Sequence, residues 1–553
     1  MPILIQDGIL YLFKKNKRMA NPWKRYTLIT TIMALTASHL SPPSDKNKEK
    51  PEIRRDIVVG GNFYNARMIY DYIYIITTQH SYHIQPCFEN NKTIIPMISI
   101  NGEEKAVPLS DILCIDIPNY GYSLTHVVSV NLKNDSEEVV DKIFTLGNSQ
   151  TMYVSRDNIF ITYQISRSDY FIKQQIIDEV VFPILPKSIK ENIRATRTFD
   201  ISNYNKGQII DWILDSFYLL LDEQQRNEIK AEIEMHMHRT VIHKISVENG
   251  KIDYICNGTV PGYILNQFSM DEHNGFLRIA TQIQGYWYIE FQKTTNVYIL
   301  DGDLKLVGKV EGIAPGENLH SARFLGNKAY LVTFKKIDPF FTLDLSDPYS
   351  PRILGELKIP GYSDYLHPYD ENHIIGIGKD TVEPQEEYSW TRDFAWYQGL
   401  KIALFDVSDF ENPKEVAKII IGDRGTDSSI LWDHKAFLFD REKELLVLPV
   451  SLYEIADEIK KQNNGYTGST YGEFKIQGAF VYSLSFENGF EFRGTISHMN
   501  ENDYPDDYYW RWDSSSHVTR SLYIEDVLYT ISDDMVKLNS LDDLSEINII
   551  KLV

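Results

Sequence analysis

Cysteine is scarce: three copies in 553 residues, Cys87, Cys114 and Cys256, with no C-x-x-C pair. That spacing excludes a zinc ribbon and a thioredoxin-like redox site. A Cys87–Cys114 disulfide remains open for an oxidising compartment, against three ordinary thiols. No apolar run reaches the roughly 18 residues that a membrane-crossing helix needs. Positive charge is also short, with 56 Lys and Arg against 77 Asp and Glu, a net charge of −21. A chain so anionic is a poor match for nucleic acid, whose phosphates need a cationic face, and for anionic lipid. The nucleophile elbow G-x-S-x-G, the metalloprotease helix H-E-x-x-H, the phosphate-binding P-loop and the sialidase Asp box are all missing. "GIG" at 376–378 is a fragment of a strand end and no dinucleotide fingerprint.

What the chain has is tyrosine, 35 copies, and a phrase that repeats. "FFTLDLSDPYSPRILGELKIPG" (340–361) returns as "LFDVSDFENPKEVAKIIIG" (404–422). Asp344, Ser346, Asp347 and Pro351 recur as Asp406, Ser408, Asp409 and Pro413. Asp and Ser side chains bond nearby backbone N–H groups, so this reads as a bend between two strands. The proline then opens an outer strand, where a missing ladder donor is tolerated. Seven hairpins rich in aromatic and branched residues are legible, at 66–77, 152–163, 266–281, 321–334, 365–378, 434–450 and 521–532. Each is followed by a second strand pair, usually with a polar bend between the two strands. Four antiparallel strands repeated radially predict an all-β fold, a β-propeller of seven or eight four-stranded blades. Residues 61–553 carry it.

The first 60 residues admit two readings. "ILIQDGILYLF" (3–13) and "SDKNKEKPEIRRDIVVGG" (44–61) look like the hairpin and outer strand of a degenerate or partial blade. "KKNKRMANPWKRYTLITTIMALTAS" has the charge and small residues of a signal segment. Three insertions break the period. Residues 79–125 read as an irregular loop, and 379–399 as an acidic aromatic loop. Within 176–239, Ile209, Ile213, Phe217, Leu220 and Leu221 recur at helical spacing, so one or two helices are inserted in the second complete blade.

The phrases "LNQFSMDEHNGFLRIATQ", "SARFLGNKAYLVTFKKIDPFFTLDLSDPYSPRILGELKIPGYSDYLHPYDENHIIGIG" and "DHKAFLFD" carry a family resemblance. From about residue 51 to 553 the chain resembles the archaeal and bacterial secreted β-propeller-domain proteins, distantly related to WD40 repeats. The resemblance implies a propeller and an extracytoplasmic, cell-surface location; the alternative is a cytoplasmic protein. It implies no activity. Such proteins carry further blade sequence and a clear signal before the segment that resembles "PEIRRDIVVGG". Sequons at Asn91, Asn134 and Asn257 permit glycosylation outside the cell.

Candidate site residues fall in two groups. Arg67 and Arg323 share one slot of the first strand of their hairpins. His367 reads as one residue beyond that slot, and His434 as two before it. Meeting in a channel, the four would bind an anion or carboxylate; otherwise they bond neighbouring blades. Tyr508, Tyr509, Trp510 and Trp512, in "YPDDYYWRWDSSSH", offer aromatic faces and carboxylates to a protein or glycan partner. His236, His238 and His243 lack a fourth metal ligand. The aspartates at 344/347 and 406/409 could hold Ca²⁺ but lack the glycine and terminal glutamate of an EF-hand loop. No metal site and no cofactor other than that calcium is expected. The expected role is a non-catalytic binding scaffold at the cell surface or envelope, a monomer with a protein or glycan partner. The alternative is an enzyme acting on a glycan or anionic small molecule in the axial channel.

Overall fold

A computed structural model describes residues 3–6, 9–15, 26–29, 55–80, 97–107, 112–115, 122–147, 151–165, 174, 177–226, 228–229, 238–284, 293–334, 338–359, 361–383, 395–462, 466–499 and 514–552. They form eight sheets that follow one another along the chain, an all-β propeller with a helical insertion. Two compact units result: residues 1–293 with 298–307, and residues 294–297 with 308–553.

In the first unit, strands Ile3–Gln6, Ile9–Lys15, Tyr26–Ile29 and Asp56–Val59 lie side by side, extended by Met97–Ile100 and Glu103–Ala106. The next sheet is Asn62–Ile69, Tyr72–His80, Tyr122–Asn131 and Val140–Gly147, with Ile112–Cys114 parallel on its edge. Then come Thr151–Val154, Asn158–Ile165, Arg239–Ser246 and Asp253–Pro261. A fourth sheet spans residues 270–313, and the division between the units falls within it. The second unit holds the sheets of residues 318–359, 362–421, 438–496 and 520–551.

The loop reading of 79–125 needs correction: "MISINGEEKA" is a hairpin. Asn101 and Gly102 both have positive φ, 51° and 86°, as a tight primed turn requires. The Asn-Gly pair was the local signal for it.

Hydrophobicity sorts the strands within a sheet. Ile374, Ile375 and Ile377 of strand His373–Val382, and Ile402, Ala403, Leu404 and Phe405 of Trp396–Asp406, are wholly buried. Such middle strands are covered on both faces, so they read as unbroken apolar runs. Each buried Ile or Leu contributes about 2 kcal/mol. The outer strand Lys414–Ile421 alternates exposed and half-buried positions, as a sheet edge should.

The repeated bend now has a physical account. Asp344 Oδ1 accepts from Ser346 N at 3.0 Å and Asp347 Oδ1 from Tyr349 N at 3.0 Å. Asp406 and Asp409 do the same toward Ser408 N, 2.9 Å, and Glu411 N, 3.1 Å. The bend rests on the outer strand of the preceding sheet. A Cβ on Gly355 would collide with the carbonyl oxygen of Phe410, and one on Gly308 with that of Pro348. Gly258 meets Leu304 in the same way. A bulge in the outer strand stands at this place, with Leu354, Val416 and Arg493 the extra residues opposite Thr342/Leu343, Leu404/Phe405 and Val481/Tyr482. Bulges bend a strand locally and aim its side chains.

The insertion has its own small core. Helix α1 (Lys187–Arg197) and helix α2 (Asn203–Tyr218) bury Ile193, Ile210, Ile213, Leu214 and Phe217 together with Ile177, Val181 and Leu185. Ser202 caps α2 by accepting from Asn205 N at 3.2 Å. The Arg226 guanidinium donates to the carbonyl of Tyr218, the last residue of α2, and to that of Leu221 just beyond, at 3.1 and 3.2 Å. Ile213 and Phe217 face this core as their spacing requires, and Ile209 packs at its edge. Leu220 does not: it lies beyond the end of α2 and is 78% exposed. Among the described residues, no helix is long and apolar enough to cross a membrane.

Candidate functional site

The first strands of three hairpins carry the same irregularity. The register slips between Phe63/Asn65, Leu319/Ser321 and Ser363/Tyr365. Counting from those bulges, Arg67, Arg323 and His367 occupy one equivalent position. Their strand partners are Tyr74, Tyr330 and Ile375, each the third residue of the second strand. His367 therefore belongs in the slot itself; the one-residue offset read from the sequence came from a four-residue turn, 369–372, where the other hairpins have two. His434 is corrected too. It opens a short 3-10 turn, His434–Ala436, ahead of strand Leu438–Asp440, capped by Asp433.

Three of the four slot candidates come together in the second unit. The Tyr365 hydroxyl and His367 Nδ1 share a 2.9 Å hydrogen bond. The Tyr365 ring lies 6.3 Å from His434 and 5.8 Å, edge-on, from Phe437. His367 stands 5.0 Å from Phe437 and 5.6 Å from Phe439. Burial pushes the His367 pKa down to about 4, and the positive charges of Arg323 and His434 add to that. His367 is thus neutral at pH 7. Burial raises the Tyr365 hydroxyl, and the nearby Arg323 charge partly offsets it. The result is an aromatic-walled cluster to which Arg323 brings positive charge.

Arg67 stands in the first unit and is engaged by its neighbours. Its guanidinium donates to Asn65 Oδ1, the Ala66 carbonyl and Gln267 Oε1 at 3.1, 3.1 and 2.8 Å. Gln267 leads into the sheet of residues 270–313, so Arg67 ties the second sheet to the fourth, past the one between them.

His243 is a core histidine. It is fully buried, stacks on Tyr163 at 5.4 Å and meets the Tyr254 hydroxyl at 3.0 Å. Burial lowers its pKa to about 4. His238 begins the same strand region, and His236 lies outside the described residues. Tyr508, Tyr509, Trp510, Trp512, Cys87 and positions 384–394 of the acidic aromatic loop also lie outside them.

One pair escaped the sequence reading. The two bulged residues His320 and Asp364 meet, Nδ1 to Oδ1 at 3.0 Å, against Tyr362 at 4.3 Å. Aligning "LHSAR" with "YSDYLH" on the slot residue would have set them at equivalent positions.

Comparison with known proteins adds the family. The sequence matches the family described as Beta propeller domain over residues 2–544. The chain belongs to that family. An uncharacterised protein of Methanocaldococcus jannaschii is 30% identical over 495 residues, 86% of this chain and 72% of the relative. An uncharacterised protein of Archaeoglobus fulgidus is 31% identical over 401 residues, 70% of this chain; the match spans 59% of that relative's length. Among solved structures, the Pseudomonas aeruginosa periplasmic gluconolactonase PpgL aligns over 77% of this chain and 91% of its own, with 8% identity and a TM-score of 0.36, a likeness too slight to carry an argument.

Proposed function

We propose that this propeller is a non-catalytic binding scaffold whose cluster of Arg323, Tyr365, His367 and His434 receives a carboxylate group of its partner. The observation that carries the reading is the geometry of the cluster: Tyr365 bonded to His367, His434 and Phe437 against them, and the Arg323 charge near enough to act on His367. The Arg323 guanidinium, always charged, supplies the positive end of a half-desolvated site that an anion neutralises. Phe437 and Phe439 wall the site and lower the local dielectric, which strengthens such a contact. The carboxylate belongs to a protein or a glycan at the cell surface or in the envelope, a location supported by the family resemblance.

The test is calorimetric titration of the full chain with citrate, polygalacturonate oligomers and a poly-glutamate peptide. Saturable binding that strengthens as pH falls from 7 toward 5 is expected, because a bound carboxylate raises the His367 pKa. The Arg323→Ala and His367→Ala variants should lose it. Failure of all three probes to bind, or equal binding by the variants, overturns the proposal. Chemical change in a bound probe would convert the scaffold into an enzyme.

A further inference from the structure

Helix α2 has an apolar stripe that its own core does not use. Ile210, Ile213, Leu214, Phe217 and Tyr218 face inward and are buried. On the outer side, Tyr204 and Trp212 are 72% and 71% exposed, and Leu219 just past the helix end is 76% exposed. Tyr204, Gln208 and Trp212 step by four and Leu219 follows seven later, so they share one face. Ile201, Asn205, Gln208, Ile209 and Trp212 line an open depression of about 430 Å³ along it. Exposed side chains of this size, on one helix face and beside a depression, mark an interaction surface.

The charges select the occupant. Asp211 and Asp215 stand on the same face, three residues past Gln208 and Trp212 respectively, and exposed Asp222 and Glu223 follow it. Lys206 is the single basic residue of α2 and sits two positions from both Tyr204 and Gln208, off their face. A second copy of the chain would set these carboxylates against their equals, on a protein of net charge −21. An anionic bilayer surface meets the same repulsion. A segment that is apolar on one side and cationic beside it satisfies both the stripe and its fence. We infer that the outer face of α2 is a docking groove for a basic amphipathic helix of a partner protein. The surface is separate from the carboxylate-binding cluster and does not depend on it.

The experiment titrates the full chain with two synthetic helical peptides that share one leucine pattern. One carries lysine at its polar positions, the other glutamate. Because the whole chain is anionic, a lysine peptide can adhere elsewhere, so the deciding variant is Trp212→Ala, which leaves the charge unchanged. The lysine peptide should saturate at one per chain, and Trp212→Ala should weaken it about tenfold. The double variant Asp211→Asn, Asp215→Asn should weaken it about threefold and flatten its salt dependence. The Trp212→Ala variant should keep the parent unfolding midpoint, since that side chain is exposed. Four results overturn the inference: failure of the lysine peptide to bind, equal binding of the glutamate peptide, indifference to Trp212→Ala, and self-association or phosphatidylglycerol-vesicle binding that Trp212→Ala abolishes.

Discussion

The outer bends of successive blades are near copies, whereas the inner slots are not. Asp344 and Asp406 make the same turn, and Gly308 and Gly355 meet the same kind of carbonyl one sheet on. The slot at the third residue past the bulge holds Arg67, Arg323 and His367 in turn. A bend must satisfy the same geometry in every blade, so its chemistry is repeated. A slot is free of that requirement, and its variation leaves room for recognition. Damage at a bend should therefore cost stability without changing binding, and damage at a slot the reverse.

The largest effect should come from Gly355→Val. The new side chain meets the Phe410 carbonyl, which is held by the bend and cannot yield cheaply. Denaturant unfolding should show a loss of about 3 kcal/mol. A loss below about 1 kcal/mol would mean that the sheets slide past one another and that the contact is not a lock.

Acid should act on stability through the buried histidines, His367 in its slot and two that stand outside the slots. His243 and His498 are buried, and burial drops both from 6.5 to about 4. His498 is held between Ser532 Oγ and Thr530 Oγ1 at 2.9 and 2.8 Å. The unfolded chain binds these protons more tightly, so the stability present above pH 6.5 is lost as pH falls toward 4. Each group adds a slope of up to about 1.4 kcal/mol per pH unit in that window. The double variant His243→Gln, His498→Gln should flatten the unfolding profile there; an unchanged slope would refute the assignment.

Arg323→Ala should weaken carboxylate binding by about tenfold or more, with the unfolding midpoint nearly unmoved. A midpoint that falls in step with affinity would make the slot structural and erase the contrast with the bends. The smallest effect is expected at Asp344→Ala. It removes the acceptor for Ser346 N and the partner of Arg352 at 3.1 Å, at an exposed turn. About 1 kcal/mol should be lost and ligand affinity retained.

Hairpins and bends were legible because their signals are local. Apolar alternation, Asp-Ser-Asp-Pro bends and turn glycines act within a few residues of one another. The Met97–Ala106 hairpin had such a signal in Asn101–Gly102 and was still hidden inside an apparently irregular stretch. The cluster was half legible. Arg323, His367 and His434 were recognisable by type, but Tyr365, Phe437 and Phe439 looked like ordinary strand aromatics. Their role depends on which neighbouring strand they face, and the bulges that aim them are a property of pairing.

By itself the sequence determined the repeat, the four-strand unit, the bends and the helical insertion, because each rests on contacts close along the chain. Tertiary structure alone decided which charges meet. His367 and Arg323 are 44 residues apart, joined through sheets whose register is set by bulges. It also decided that Arg67, identical in type and slot to Arg323, is bonded to Gln267. A slot fixes where a side chain starts; the other blades determine what it finds.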